Sequence, residues 1–172
     1  MTEQEQQQLF NQWLHQYKAL FFKVIRAYAF TAMDRDDLFQ EITLQAWRSI
    51  PSFQQKSSVS TWLYRISFNT AITWSHKARK HRNTDEMIEN IEQVLVEKEV
   101  ASPDDERLNW LYKEISYLDE VDRSITLLLL EGSSYKEIAV ILGISESNVG
   151  VKVHRIKKAL TLKSKKIETY GI

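Results

Sequence analysis

Chain reversals are scarce in this sequence, and that scarcity limits the fold more than any other feature: there are four Gly and two Pro among 172 residues. A many-stranded sheet needs a reversal roughly every 8–12 residues and draws on Gly, Pro, Asn and Asp to make it. A chain so poor in Gly and Pro, with abundant Gln, Glu, Lys, Leu and Ala, favours helices instead. Its apolar residues repeat accordingly. Leu9, Trp13 and Leu14, then Leu20, Phe21, Val24, Ile25 and Tyr28, recur three and four apart, which lays an apolar stripe along one helix face. The expected class is all-α.

The next helix has a plausible N-cap in Asp34, followed by Asp36 and Asp37 where the helix dipole favours acids. Leu38, Ile42, Trp47 and Ile50 would face inward and Pro51 would end it. A polar loop, Gln54 to Ser58, precedes a fourth helix over 59–82, with Trp62, Leu63, Ile66 and Ala71 inward and a basic tail of Lys77, Arg79, Lys80 and Arg82. Residues 84–107 lack a long apolar face, although Met87, Ile88, Ile91, Val94 and Leu95 suit one short amphipathic helix, and Ser102-Pro103-Asp104-Asp105 closes the stretch with turn residues. Periodicity resumes at Leu108, Leu111, Ile115 and Leu118 and runs through Ile125 to Leu130, and two short helices around Gly143 complete the chain.

Charge divides the chain at the same places. Residues 1–83 hold 11 Lys+Arg against 6 Asp+Glu, residues 84–107 hold 2 against 9, and residues 108–172 hold 10 against 8. The blocks carry +5, −7 and +2 inside a formal net charge of zero. Two small helical domains, 1–83 and 108–172, joined by an acidic linker over 84–107, are therefore expected.

The sharpest local pattern runs from Ser134 to Val149. Ser134 and Glu137 have capping-box spacing, Gly143 supplies a turn, and Ser145 is a natural N-cap for a second helix. Small Ala139 permits close helix crossing, while Ile138, Leu142, Ile144 and Val149 would bury the junction. This is a helix-turn-helix layout, whose second helix enters the major groove of DNA. Glu146, Ser147, Asn148, Lys152, His154 and Arg155 are then the candidates for facing DNA, and Lys157, Lys158, Lys163, Lys165 and Lys166 extend a cationic track suited to phosphates. A plain helical hairpin with a solvated basic tail is the alternative.

A second run identifies a family. Asp34 to Glu41, Ala46-Trp47-Arg48, Phe53, Ser60 to Ile66 and Asn69 closely resemble region 2 of the extracytoplasmic-function sigma factors of the sigma-70 family. Leu118 to Leu160 resembles their region 4, and the two stretches occur in the family's order and spacing. The resemblance implies a region 2 helical bundle on residues 1–83 and a region 4 helix-turn-helix on residues 108–172. It also implies a function: an RNA polymerase sigma factor that directs promoter recognition and DNA-templated transcription initiation, with no catalytic residues and no cofactor.

The same resemblance assigns roles to residues. Asp37, Gln40 and Glu41 match the face that grips the β′ clamp helices of core polymerase, and their three- and four-residue spacing puts them on one helix face. A merely solvated face is the alternative. Phe53, Gln54, Gln55, Lys56, Ser57, Ser58, Asn69, Thr73 and Trp74 fall where the family captures an unpaired base of the minus 10 element. Single-strand capture needs surfaces for stacking and cationic rails for the backbone, and Arg65, Phe68, Lys77, Arg79 and Lys80 supply these residue types. Trp74 suits either packing or stacking. Region 4 implies reading of the minus 35 element by Glu146, Ser147, Asn148, Lys152, His154, Arg155, Lys157 and Lys158, together with a contact to the β flap. The implied partners are core RNA polymerase, promoter DNA and an anti-sigma factor. The acidic linker matches a segment that threads the polymerase cleft, where it would act as a polyanion mimic or simply as a solvated connection.

One departure stands out. Where the family usually places Lys or Arg and then Ser or Thr in the recognition helix, this chain has Gly150-Val151, and neither side chain can hydrogen-bond a base edge. Recognition there would lean on backbone approach and groove shape.

Other classes have less support. A non-sigma helix-turn-helix regulator would bind closed duplex alone and need no polymerase-binding face. A metal or acid-base site finds no converging ligands, because His76 and His81 lie five apart in a basic stretch and His15 and His154 are remote in sequence. No cysteine is present to form a disulfide, a thiolate nucleophile or a Cys-type zinc site. No apolar run approaches the roughly 20 residues that span a bilayer, and Met1 to Gln8 is polar, so a cytoplasmic protein without membrane insertion is expected.

Overall fold

The computed structural model describes residues 1–81 and 103–170. Arg82, the short amphipathic helix expected over 87–95 and most of the acidic linker lie outside the described residues. Within them the chain is helical, contains no strand, and folds as two compact units, Met1–Lys113 and Glu114–Ile172.

The first unit opens with α1, Glu3–Gln16, started by a capping box between Thr2 and Glu5. Tyr17 separates it from α2, Lys18–Tyr28, and α3 follows at Ala32–Ser49. The cap of α3 is Thr31, whose hydroxyl oxygen accepts from the Asp34 N–H at 3.1 Å. Asp34, expected as the cap, lies inside the first turn and is buried. The aspartate run hid a β-hydroxyl residue that sits three positions earlier with the required extended backbone. Pro51 ends α3 as expected, through a 3-10 turn at Ile50–Ser52, and α4 spans Val59–His81.

These helices share one core. Phe21, Val24, Ile25 and Tyr28 of α2, Leu38, Ile42 and Ala46 of α3, and Leu63, Phe68 and Ala71 of α4 are buried. Each large side chain stabilises the unit by about 1.5–3 kcal/mol relative to exposure. Ala46 takes the inward position expected of Trp47, which instead lies half-buried with Phe10 edge-on at 5.5 Å. The first part of α5, Pro103–Ser116, also belongs to this unit. There the Arg26 guanidinium stacks 4.1 Å from the Tyr112 ring centroid and donates to Asn109 at 2.9 Å.

The second unit holds the end of α5, α6 at Glu120–Leu130, α7 at Tyr135–Leu142 and α8 at Glu146–Tyr170. Ile125, Leu128, Ile138, Ile141, Val149, Val153 and Ile156 fill its core. Two short helices are expected around Gly143, but only α7 is short; α8 runs for 25 residues. Gly150 does not break it, and Lys163 fastens its later turns by pairing with Glu114 and lying 5.6 Å from the Tyr117 ring centroid.

Candidate functional site

In the first unit the candidate residues lie on α3, on α4 and on the loop that joins them. Asp37, Gln40 and Glu41 are all exposed, outside the buried stripe of Leu38, Ile42 and Ala46. Between α3 and α4 runs a groove of about 680 Å³, lined among others by Asp37, Glu41, Gln45, Asn69, Thr73 and Trp74. Trp74 bridges it: the indole N–H donates to Asp37 Oδ2 at 2.7 Å. Packing and polar contact thus share this half-buried ring, and sequence spacing gave no sign of a partner 37 positions away.

The loop is held at its base by aromatics. Phe53 meets Trp13 edge-on at 5.4 Å and Trp62 at 4.9 Å, and Trp13 meets Trp62 at 5.5 Å. Phe53 and Trp62 are therefore anchors with one partly exposed side. Beyond them Gln54, Gln55, Lys56 and Ser58 are exposed and Ser57 is half-buried. Gln55 takes φ of 55°, the left-handed region that costs a non-glycine residue about 1 kcal/mol and that gathers at functional loops. Ser58 starts α4: its Oγ accepts from the Thr61 N–H at 3.1 Å, and its carbonyl accepts from Trp62 N–H.

Along α4, Arg65, Asn69, Thr73, Lys77, Arg79 and Lys80 are exposed. The Thr73 hydroxyl donates to the Asn69 carbonyl at 2.9 Å. Phe68 is a correction. It is fully buried and stacked on Tyr64 at 5.8 Å, because its helical phase falls in the same arc as Leu63, Ser67, Ala71 and Ser75. It offers no surface to a base.

The second unit forms the helix-turn-helix. Ser134 Oγ accepts from Glu137 N–H at 3.2 Å, and the Glu137 carboxylate accepts from Ser134 N–H at 2.7 Å. The Ser134 N–H, and after it the Ser134 hydroxyl, hold the Glu137 carboxyl below its ordinary value of 4.5. Gly143 closes α7 at φ of 69°, and the Ala139 carbonyl accepts from both Gly143 and Ile144 N–H. Ser145 caps α8, its hydroxyl oxygen accepting from the Asn148 N–H at 3.1 Å.

Of the residues expected to face DNA, Glu146, Ser147, Asn148, His154, Arg155, Lys157 and Lys158 are exposed. Lys152 is a correction of placement. It is half-buried beside the apolar stripe, and its ammonium donates to Asp122 of α6 at 2.6 Å. Lys163 is likewise engaged within its unit, by Glu114, while Lys165 and Lys166 are exposed. Sequence reasoning missed Arg123, a buried guanidinium that donates to the Ser116 carbonyl at 2.7 Å and the Leu118 carbonyl at 3.0 Å. Its neighbours in sequence gave no sign of burial. Among the described residues no cluster of three or more His, Asp and Glu suits a metal ion, and no helix is long and apolar enough to cross a membrane.

The family model for sigma-70 region 2 matches residues 13–82, and that for sigma-70 region 4 matches residues 108–160. The chain is 32% identical over 137 residues to an extracytoplasmic-function RNA polymerase sigma-E factor of Haemophilus influenzae, covering 74% of this chain and 72% of that one. A sigma-E factor of Escherichia coli K12 is 30% identical over the same coverage. In fold, the chain is similar to CnrH, solved in complex with the cytosolic domain of CnrY, with a TM-score of 0.65, 19% identity, and coverage of 93% of this chain and 90% of that one. It is also similar to the sigma factor RpoE of Bartonella quintana, solved with the anti-sigma factor NepR, with a TM-score of 0.65, 22% identity, and coverage of 91% and 96%.

Proposed function

The chain belongs to the extracytoplasmic-function sigma factors of the sigma-70 family, and from that premise we propose how its surfaces divide the work of starting transcription. It is an RNA polymerase sigma factor that directs promoter recognition. In our reading residues 1–83 bind core polymerase and read the minus 10 element, residues 84–107 connect, and residues 108–172 read the minus 35 element. The protein works as an adaptor in the cytoplasm, where polymerase and promoter are, and carries out no covalent step of its own.

Asp37, Gln40 and Glu41 grip the β′ clamp helices. What carries this reading is that α3 presents all three side chains exposed on one side while Leu38, Ile42 and Ala46 are spent in the core. Next to them, the loop from Gln54 to Ser58, Asn69 and Thr73 capture an unpaired base, with Arg65, Lys77, Arg79 and Lys80 as rails for the strand. Trp74 stands between the two functions, its ring half-exposed and its N–H on Asp37. In the second unit Glu146, Ser147, Asn148, His154 and Arg155 face the upstream duplex, Lys157 and Lys158 meet phosphates, and the unit contacts the β flap. An anti-sigma factor holds the inactive state by covering these surfaces. A relative in fold solved with such a partner supports this.

The test is capture of core polymerase by the purified chain. The combined Asp37→Ala, Gln40→Ala and Glu41→Ala variant should lose binding while keeping its helical circular-dichroism signal. Undiminished binding by the folded variant rejects the assignment, and a chain that ignores polymerase but footprints closed palindromic duplex alone is a regulator of another kind.

A further inference from the structure

The outward face of α8 has an apolar residue at its centre. Val149, Val153 and Ile156 form the buried stripe of this helix. At about 100° per residue, Val151 lies within about 15° of the direction opposite to their mean. It is 49% exposed, and its neighbours on that face within two turns, Ser147, His154, Arg155 and Lys158, are polar and exposed. A β-branched residue gains nothing for helix formation at such a position, and this one contributes no burial to the core. Gly150 precedes it on the flank of α8 that faces the Tyr135 ring, where a Cβ would lie 3.8 Å away. The major groove presents one apolar feature among its donors and acceptors, the C5 methyl group of thymine.

We propose that Val151 is a specificity-determining residue that reads a thymine methyl group in the upstream promoter duplex. This rests on α8 being the groove-entering helix. Val151 supplies no hydrogen bond; it favours thymine because cytosine lacks the methyl and the purines present polar N7 and exocyclic groups in its place. The contact also accounts for a recognition helix that carries Gly150-Val151 where a hydrogen-bonding pair is expected. The polar residues around Val151 fix the register of the helix, and the valine selects within that register.

The experiment uses holoenzyme, this chain with core polymerase, on a promoter selected by that holoenzyme from a randomised duplex library. Each thymine of the upstream element is replaced in turn by deoxyuridine, which removes only the methyl group. One replacement should weaken closed-complex formation about fourfold, the worth of one buried methyl. In the Val151→Ala holoenzyme that replacement should have no effect, whereas Arg155→Ala should weaken binding overall and leave the methyl effect in place. If no thymine responds, or if the response survives in Val151→Ala, the methyl contact is overturned while a damaging Arg155→Ala still upholds α8 in the groove. If Arg155→Ala and Val151→Ala both leave binding unchanged, α8 is not the reading helix and the proposal falls with that premise.

Discussion

Arg123 is among the largest fully buried side chains of the described residues, and it holds the carbonyls of Ser116 and Leu118 where α5 ends. A helix end shut away from water needs donors for its last carbonyls, and here a charged group from the next helix provides them. Arg123→Met keeps the apolar stem and removes the donors, so it should cost about 3 kcal/mol. Urea denaturation measures this, and a loss below about 1 kcal/mol would mean that water replaces the guanidinium. Glu137 gives a pH signature. Its carboxyl is held below the ordinary 4.5 by the Ser134 N–H and hydroxyl, so it binds protons less readily folded than unfolded. That contribution is complete above the unfolded value and disappears as pH falls through the folded one. Glu137→Gln should therefore be less stable than the parent at neutral pH and should converge with it in acid; a gap independent of pH would exclude the carboxylate as its origin. Gly150 tests helix propensity. A Cβ there would lie 3.8 Å from the Tyr135 ring, an ordinary contact, and Gly150→Ala should stabilise the second unit by about 1 kcal/mol in the same denaturation experiment.

At the scale of elements, α3 and α4 enclose the groove that joins the two candidate surfaces of the first unit, and the bond from Trp74 to Asp37 spans it. Trp74→Phe keeps an aromatic ring and removes the donor, while Asp37→Ala removes the acceptor. If the bond fixes the two helices, the double variant should be less destabilised than the sum of the singles by about 1 kcal/mol. Strict additivity in a denaturation cycle would show that the bond contributes nothing across the groove. This contact marks the boundary of what the sequence makes legible. The capping box of α7, the αL glycine after it, the stop at Pro51 and the span of α4 rest on neighbours within a few positions, and they can be read residue by residue. Asp34 differs from expectation because Thr31 takes the cap, and Lys152 because its partner comes from elsewhere in the chain, whereas the burial of Phe68 follows from the same helix phase that puts Leu63 and Ala71 inward. A lysine on a helix looks available to phosphate until Asp122, 30 positions earlier, is folded beside it. The length of α8 was hidden for the same reason, since Lys163 finds Glu114 only after folding.

On the proposed reading the whole molecule combines two units with opposite requirements for DNA. Its two basic blocks carry only +5 and +2, with −7 between them, so neither has a surplus large enough to bind duplex tightly through phosphates alone, and sequence-specific binding should need polymerase. The exposed residues of the first unit suit an unpaired strand, because a base must leave its stack before a loop such as Gln54 to Ser58 and the amide of Asn69 can reach its edge. On the proposed reading those of α8 suit closed duplex, where a helix fits the major groove and Ser147, His154 and Arg155 would meet base edges or phosphates. The two sets should therefore fail on different templates. Alanine at Asn69 and across the loop should impair promoter opening, and a template already unpaired at the minus 10 element should not restore base recognition. Alanine at His154 and Arg155 should weaken closed-complex formation on both templates, by about 1–3 kcal/mol for each hydrogen bond to a base that is removed, whereas alanine at Lys157 or Lys158 should chiefly reduce the dependence on salt. Transcription and gel-shift assays with holoenzyme on paired duplex and bubble promoters measure all of these. Should the loop and Asn69 variants behave as the parent on both templates while the α8 variants lose binding, the first unit would retain its polymerase contact and the chain would read promoters with the second unit alone.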